Sequence, residues 1–359
     1  MHRLTNGDTG APLDDRWEHG SDFHLTLEGG EGCYPWGHNA VTLWGSGRDA
    51  LRALIVHGRE QRRWRRLYCP SFYCQDVVLA LAREIELVVY AESPLQPATD
   101  LPHPGVDELL LVVNVYGMRP RPELVGDGVV IEDHTHDPWS DWAFASQAHY
   151  AVVSLRKTLP VPDGGALWSP RSLKLPAERV PTAEHAGACL DRLSAMVLKA
   201  HYLGGHGISK DAFRAIAVAG ERTMATGREA SGVSAFTRAR LPGLPTKRWS
   251  ELRARNRAVL CAALAELRGA SVLDTPFAVT LIFDGHGAAE RRDRAHAALA
   301  EARVYAPVIW PLGAGAIAGI PEAHVDLARR VLTLHCDFRY TTDDMLKLAE
   351  RVRRVCREP

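Results

Sequence analysis

Residues 108–115, ELLLVVNV, constrain the fold more than any other stretch of the chain. The apolar residues do not alternate with polar ones. A strand made from them buries both faces, which requires a parallel sheet covered by helices on each side. Shorter apolar pieces of the same kind recur at 41–44, 67–70, 85–90, 128–131, 150–154 and 165–168. Helical patterns lie between several of them. Residues 49–57 carry Leu51, Leu54 and Ile55 on one face, and 76–83 follow the second strand. Short apolar strands separated by helices and loops predict an α/β fold with a mostly parallel central sheet.

Past residue 180 the pattern changes. Residues 181–228 are rich in alanine and read as helical, and 231–247, with Gly232, Pro242, Gly243 and Pro245, read as a hinge. A helix is expected over 249–267, a strand over 277–283, a helix over 290–302, strands over 304–309 and 331–334, and a helix over 342–355. At 359 residues the chain has room for two domains. The expected division is an irregular N-terminal arm (1–35), a large domain (36–235) and a small α+β domain (236–359).

Charge narrows the function. Lysine plus arginine equals aspartate plus glutamate, 43 each. A nucleic-acid or anionic-membrane binder would carry a basic excess, so neither partner is expected. No apolar run reaches the ~18 residues that a membrane-spanning helix needs. Residues 1–15 are polar and lack an apolar stretch of signal-peptide type. The seven cysteines are scattered with no CxxC pair, which reads as reduced thiols in a cytoplasm.

Only six of the 43 basic residues are lysine, and none precedes Lys157. Chemistry that uses an amine nucleophile therefore has few candidates. In open α/β sheets ligands sit beyond the carboxyl ends of the strands. After 41–44 come Gly45-Ser46-Gly47-Arg48, opening a helix whose free N–H groups suit a phosphate, although the same sequence also serves as a plain tight turn. After 128–131 come Glu132-Asp133-His134-Thr135-His136-Asp137. A carboxylate there can hold a protonated heterocyclic nitrogen. A metal site from His134 and His136, or a strand end with solvated acids, are the other readings of the same residues. After 150–154 comes Ser154-Leu-Arg-Lys157, followed by a Pro/Gly-rich turn. A lysine in an apolar setting has a lowered pKa, which suits Schiff-base chemistry. Taken in order, a helix start, an acid and a lysine are the three contacts that pyridoxal phosphate needs for its phosphate, ring nitrogen and aldehyde.

In these segments the chain resembles fold type I pyridoxal-phosphate enzymes, and in particular the DegT-type sugar aminotransferase family. Gly45-Ser-Gly-Arg-Asp-Ala-Leu51 is similar to the family's phosphate cup. Leu67-Tyr-Cys-Pro-Ser-Phe-Tyr73 is similar to its proline-serine-aromatic strand end, and Val113-Asn-Val-Tyr-Gly117 to its strand ending in Tyr-Gly. Val130-Ile-Glu-Asp133 is similar to its cofactor-aspartate strand, and residues 154–165 to its lysine segment. Residues 292–311 and 331–355 resemble its small domain.

The resemblance implies a three-layer fold type I transferase. It implies that Lys157 forms the Schiff base and carries the proton at the substrate Cα, and that Asp133 bonds the pyridinium nitrogen. Gly47 and Arg48 would offer backbone N–H groups to the phosphate, Ser46 and Ser154 hydroxyls, and Tyr73 an aromatic face to the ring. His136 stands where the family usually has a glutamine facing the phenolic oxygen. Ser154 lies three residues before the lysine, where the family's serine lies five before. The family's partner-subunit Gly-x-Asn-x-Arg segment would fall near Ser234–Arg238, without the asparagine. The implied activity is an aminotransferase, active as a homodimer with shared sites. It would move an amine from an amino acid to a keto or aldehyde acceptor derived from a sugar or from secondary metabolism. A lyase on the same cofactor, a non-catalytic ligand-binding relative and a metal-dependent hydrolase are the other readings.

Overall fold

A computed structural model describes residues 16–124, 126–313 and 317–357. The first fifteen residues of the expected arm lie outside it. The larger of two sheets has seven strands in the order β1-β7-β6-β5-β4-β2-β3. These are β1 (Val41–Trp44), β2 (Arg66–Pro70), β3 (Glu86–Tyr90), β4 (Glu108–Val113), β5 (Val129–Asp133), β6 (Tyr150–Ser154) and β7 (Gly165–Trp168). Neighbours β3, β2, β4, β5 and β6 pair parallel, while β7 runs antiparallel to both β6 and β1. Every residue of β4 is buried, as a strand covered on both faces must be. The sheet is the mostly parallel one expected.

Helix α1 (Gly47–Arg62) begins directly beyond β1. Ser46 is its N-cap. The Ser46 hydroxyl accepts from the Asp49 N–H at 3.1 Å and donates to Asp49 Oδ2 at 2.7 Å, which satisfies one of the free donors of the first turn. Its apolar face, including Leu51, Leu54 and Ile55, packs into the core beneath the sheet. Helices α2 (Gln75–Leu81) and α3 (Asp141–Phe144) fill two of the connections. Beyond β7, α4 (Ala183–Leu203) and α5 (Lys210–Thr226) pack on each other.

The residues expected as a hinge hold α6 (Ala235–Arg240) and a 3₁₀ turn (Leu241–Gly243). Buried Asp163 anchors this segment, accepting from the Ser234 N–H and hydroxyl at 2.7 Å each and from the Thr237 hydroxyl.

The second sheet is antiparallel, in the order β10-β9-β8, with β8 (Ala270–Asp274), β9 (Val279–Phe283) and β10 (Val331–Leu334). Helices α7 (Thr246–Leu264), α8 (Ala288–Glu301), α9 (Glu322–Arg330) and α10 (Thr342–Arg357) accompany it. Three expectations need correction here. Residues 304–309 are extended but enter neither sheet. Val304 makes an isolated bridge to His19 of the N-terminal segment, and the Pro307 carbonyl accepts one bond from Thr333. Proline at 307 has no N–H to give a ladder. Strand β8 and helix α9 stand where the sequence reading saw neither. Among the described residues, no helix is long and apolar enough to cross a membrane.

Candidate active site

Register brings the strand ends together. Trp44 of β1 lies opposite Gly165 of β7, Gly165 lies opposite Ser154 of β6, and Val152 of β6 lies opposite Asp133 of β5. The chain leaving β1 therefore enters α1 beside Ser154, with Asp133 one strand further on. Close approach at this corner depends on missing side chains. A Cβ on Gly165 would sit 2.3 Å from the Ser46 carbonyl, and one on Gly47 would sit 3.0 Å from the Ser154 Cβ.

Ser46, Gly47, Arg48, Tyr73, Asp133, His136, Ser154 and Lys157 all line one cavity of about 130 Å3 at this edge. The eight residues singled out in the sequence are thus neighbours in space. Lys157 sits at the end of a 3₁₀ turn (Leu155–Lys157) that continues β6, and its side chain is open to solvent. Among the described residues, no hydrogen bond or ion pair engages its amine. The adjacent Arg156 guanidinium, and then the surrounding protein, hold the Lys157 pKa below the ordinary lysine value.

Asp133 is buried, and its oxygens are met by neutral donors: Oδ1 by the Thr135 N–H at 2.9 Å and Oδ2 by the Tyr73 hydroxyl at 2.5 Å. A buried carboxylate that no ion pair engages among the described residues is a natural partner for a protonated nitrogen. Tyr73 has a further contact that the sequence does not show. It reaches the site, but its hydroxyl is spent on Asp133, and its ring stands edge-on to Trp310 at 5.5 Å. Phe72, the neighbouring aromatic, is fully buried in the core.

His136 Nδ1 accepts from the Tyr116 N–H at 3.0 Å, so the ring proton of the neutral imidazole sits on Nε2. Its ring stacks on Phe277 at 4.4 Å and Trp310 at 4.8 Å. Burial pushes its pKa down to about 3, so it is neutral across the working pH range. His134 is elsewhere. Its Nε2 meets Glu132 at 2.9 Å and its ring packs against Trp142, so the two histidines do not converge on a metal. Ser46 also departs from expectation, since its hydroxyl proton goes to Asp49 and not to the cavity. Arg48 contributes its backbone there, while its side chain donates to the Met224 and Ala225 carbonyls at the end of α5. Arg238, expected near a partner's site, is half-exposed and pairs with Glu178 at 2.6 Å.

Sequence reasoning missed Trp310, Thr135, Glu221 and Arg156. All four line the same cavity. The Thr135 hydroxyl accepts from the Ser154 N–H at 2.9 Å and so joins the ends of β5 and β6.

The fold recurs in solved structures. DesI in the presence of its TDP-sugar product matches with a TM-score of 0.54 at 17% identity, over 89% of this chain and 81% of that one. The putative sugar aminotransferase Spr1654 from Streptococcus pneumoniae in its PMP form matches at 0.53 and 11% identity, over 89% and 88%. SPT with its PLP internal aldimine matches at 0.50 and 12% identity, over 90% and 74%. The fold is fold type I. No family model matches the chain, and no curated protein does. At these identities the likeness is one of architecture.

Proposed function

We propose that this chain is a pyridoxal-phosphate-dependent aminotransferase that moves an amine from an amino acid to a keto or aldehyde acceptor, sugar-derived or from secondary metabolism. One observation carries the reading: a lysine and a buried carboxylate, each without an ion pair among the described residues, and the start of a helix converge on one cavity from three different strands. Each asks for a different part of the same cofactor, and the residues fit it. The likeness in fold to a putative sugar aminotransferase favours transfer over bond cleavage.

When bound, the cofactor supplies an electron-withdrawing ring that spreads the charge left at the substrate Cα. The chain's residues do the rest. Asp133, oriented by Tyr73 and Thr135, holds the proton on the ring nitrogen. The Gly47 and Arg48 N–H groups hold the phosphate at the positive end of α1, with the Ser154 hydroxyl beside them. His136 donates from Nε2 to the phenolic oxygen, and Trp310 and Phe277 behind it keep it neutral. Lys157 would bind the aldehyde, and its amine is the group placed to hold and move the proton at the substrate Cα. Its lowered pKa leaves a larger share of neutral amine at working pH. Residues 36–235 form the cofactor domain and 236–359 the small domain. The protein works as a homodimer in the cytoplasm, a placement that the seven unpaired cysteines support.

The test starts from colour. The purified protein is expected to be yellow, and borohydride should bleach it and leave the cofactor mass on the peptide carrying Lys157. In a separate, untreated sample, single amino acids should convert the bound cofactor to its amine form. Release of ammonia or sulfide without that conversion would select a lyase. Lys157→Ala should lower turnover roughly 10³-fold or more and abolish the label. A label persisting in that variant would show that another residue binds the cofactor.

A further inference from the structure

Arg156 directly precedes Lys157 and lines both the cavity around that lysine and an adjoining one of about 320 Å3. Arg192 of α4 lines the second cavity as well. Between the two guanidiniums lies Glu221 of α5. It accepts two bonds from Arg156 at 2.8 Å each and one from Arg192 at 2.6 Å. A bidentate guanidinium with a second guanidinium beside it, whose Nε donates to the Pro162 carbonyl, is a geometry of carboxylate recognition, here filled by the protein's own side chain.

We infer that Arg156 and Arg192 form the subsite for the carboxylate next to the reacting carbon of the amino donor, with Glu221 as a built-in competitor. The inference rests on the aminotransferase reading for the identity of the ligand.

Two observations support it. First, Arg156 Nε is buried without a hydrogen-bond partner. Second, the Glu221 side chain is 43% exposed, so it can turn to solvent when a ligand takes its place.

Calorimetry of the holoprotein with succinate, and with succinamide as the uncharged control, tests this. Wild type should bind succinate and not succinamide. Glu221→Gln should bind succinate about tenfold more tightly, because a charged competitor is gone. Arg156→Gln should lose binding, and Arg156→Lys should restore part of it. A structural role for the triad would make the glutamate and arginine variants fail together, so opposite signs are the signature. Each variant's thermal unfolding is followed to confirm that it folds. Succinate binding that is unchanged in Arg156→Gln, or weaker in Glu221→Gln, would overturn the proposal. So would an Arg156→Gln protein that keeps its succinate affinity but sheds cofactor on dialysis, since the guanidinium would then belong to the cofactor phosphate. The borohydride label on Lys157 reports separately on the aminotransferase reading. Its absence with the succinate pattern intact would sink that reading and not the anion site.

Discussion

Tyr73 donates its phenolic hydrogen to Asp133 Oδ2 at 2.5 Å, tying the end of β2 to the end of β5. The direction of this bond is fixed. Burial, and then the Asp133 charge, raise the phenol pKa well above its ordinary value, so Tyr73 keeps its proton. The carboxylate is thereby held in one orientation, with Oδ1 left to Thr135. Tyr73→Phe preserves the ring and its packing and removes only this bond. It should lower kcat about tenfold and stability by about 1.5–3 kcal/mol, since the acceptor is charged and buried. Steady-state kinetics and denaturant unfolding measure the two. An unchanged kcat would mean that Asp133 needs no help to stay in place.

Acid stability should depend on the N-terminal segment. Glu18 is buried and paired with Lys199 at 2.8 Å and Lys210 at 2.5 Å. Burial alone would raise its pKa, but Lys199 and Lys210 overcome that and hold it at about 2, against 4.5 for a free glutamate. Between those two values the unfolded chain binds the extra proton and the folded chain does not. Stability is therefore fully present above about pH 4.5 and falls as pH drops toward 2, by about 3 kcal/mol from this group. Burying the Lys199 ammonium, whose pKa falls to about 8 from 10.5, costs a similar amount at neutral pH, so the acid limb and not the wild-type stability at pH 7 reports on Glu18. Glu18→Gln should flatten the acid limb of the stability curve. It should also cost about 3 kcal/mol at pH 7, because it leaves a buried lysine without its counter-charge. Urea midpoints from pH 2 to 7 decide it; parallel curves for variant and wild type would refute the assignment.

Much of the architecture was legible because strands buried on both faces have no other reading. The run at β4 marks the buried sheet, and Gly47, Asp133 and Lys157 stand at or just beyond the ends of β1, β5 and β6, the edge where ligands of open α/β sheets sit. What escaped is equally physical. Strand β8 is an edge strand with mixed exposure, so it shows neither an apolar run nor clean alternation. Helix α9 has nine residues and buries only His324, Leu327 and Ala328, too few for a periodic signal. Trp310 reaches the site from an extended stretch outside both sheets. Arg192 and Glu221 look in sequence like ordinary charges on helix surfaces. Only the packing of α4 and α5 turns them toward Arg156.

Gly165 tests how tightly the phosphate corner is built. Its added Cβ would lie 2.3 Å from the Ser46 carbonyl and 2.5 Å from the Gly47 nitrogen. Backbone cannot yield there without moving the first turn of α1. Gly165→Ala should destabilise the protein by about 1–3 kcal/mol. It should also weaken cofactor retention on dialysis, whereas Gly187→Ala, which meets nothing within 4 Å, should leave retention unchanged. Equal cofactor loss in both variants would show that the corner is not the reason.

The last prediction separates a structural hub from a metal site. Among the described residues, Asp163, His185 and Cys189 form a group whose ligand atoms lie within 4.8 Å of one another. Yet each Asp163 oxygen is already occupied. Oδ1 accepts from the Ser234 and Thr237 hydroxyls, and Oδ2 from the Ser234 N–H and from His185 at 3.0 Å. A metal would also need the Cys189 thiolate, and burial, followed by the Asp163 charge, pushes that thiol's pKa up. The group reads as a clasp that fixes α4 and α6 against the turn after Lys157. Dialysis against a chelator should therefore leave the unfolding midpoint where it was. Asp163→Asn turns an amide N–H₂ toward groups that donate, and should cost about 2–4 kcal/mol. A chelator-induced loss of stability that zinc restores would convert the clasp into a metal centre, and Asp163→Asn would then abolish the zinc response along with the stability.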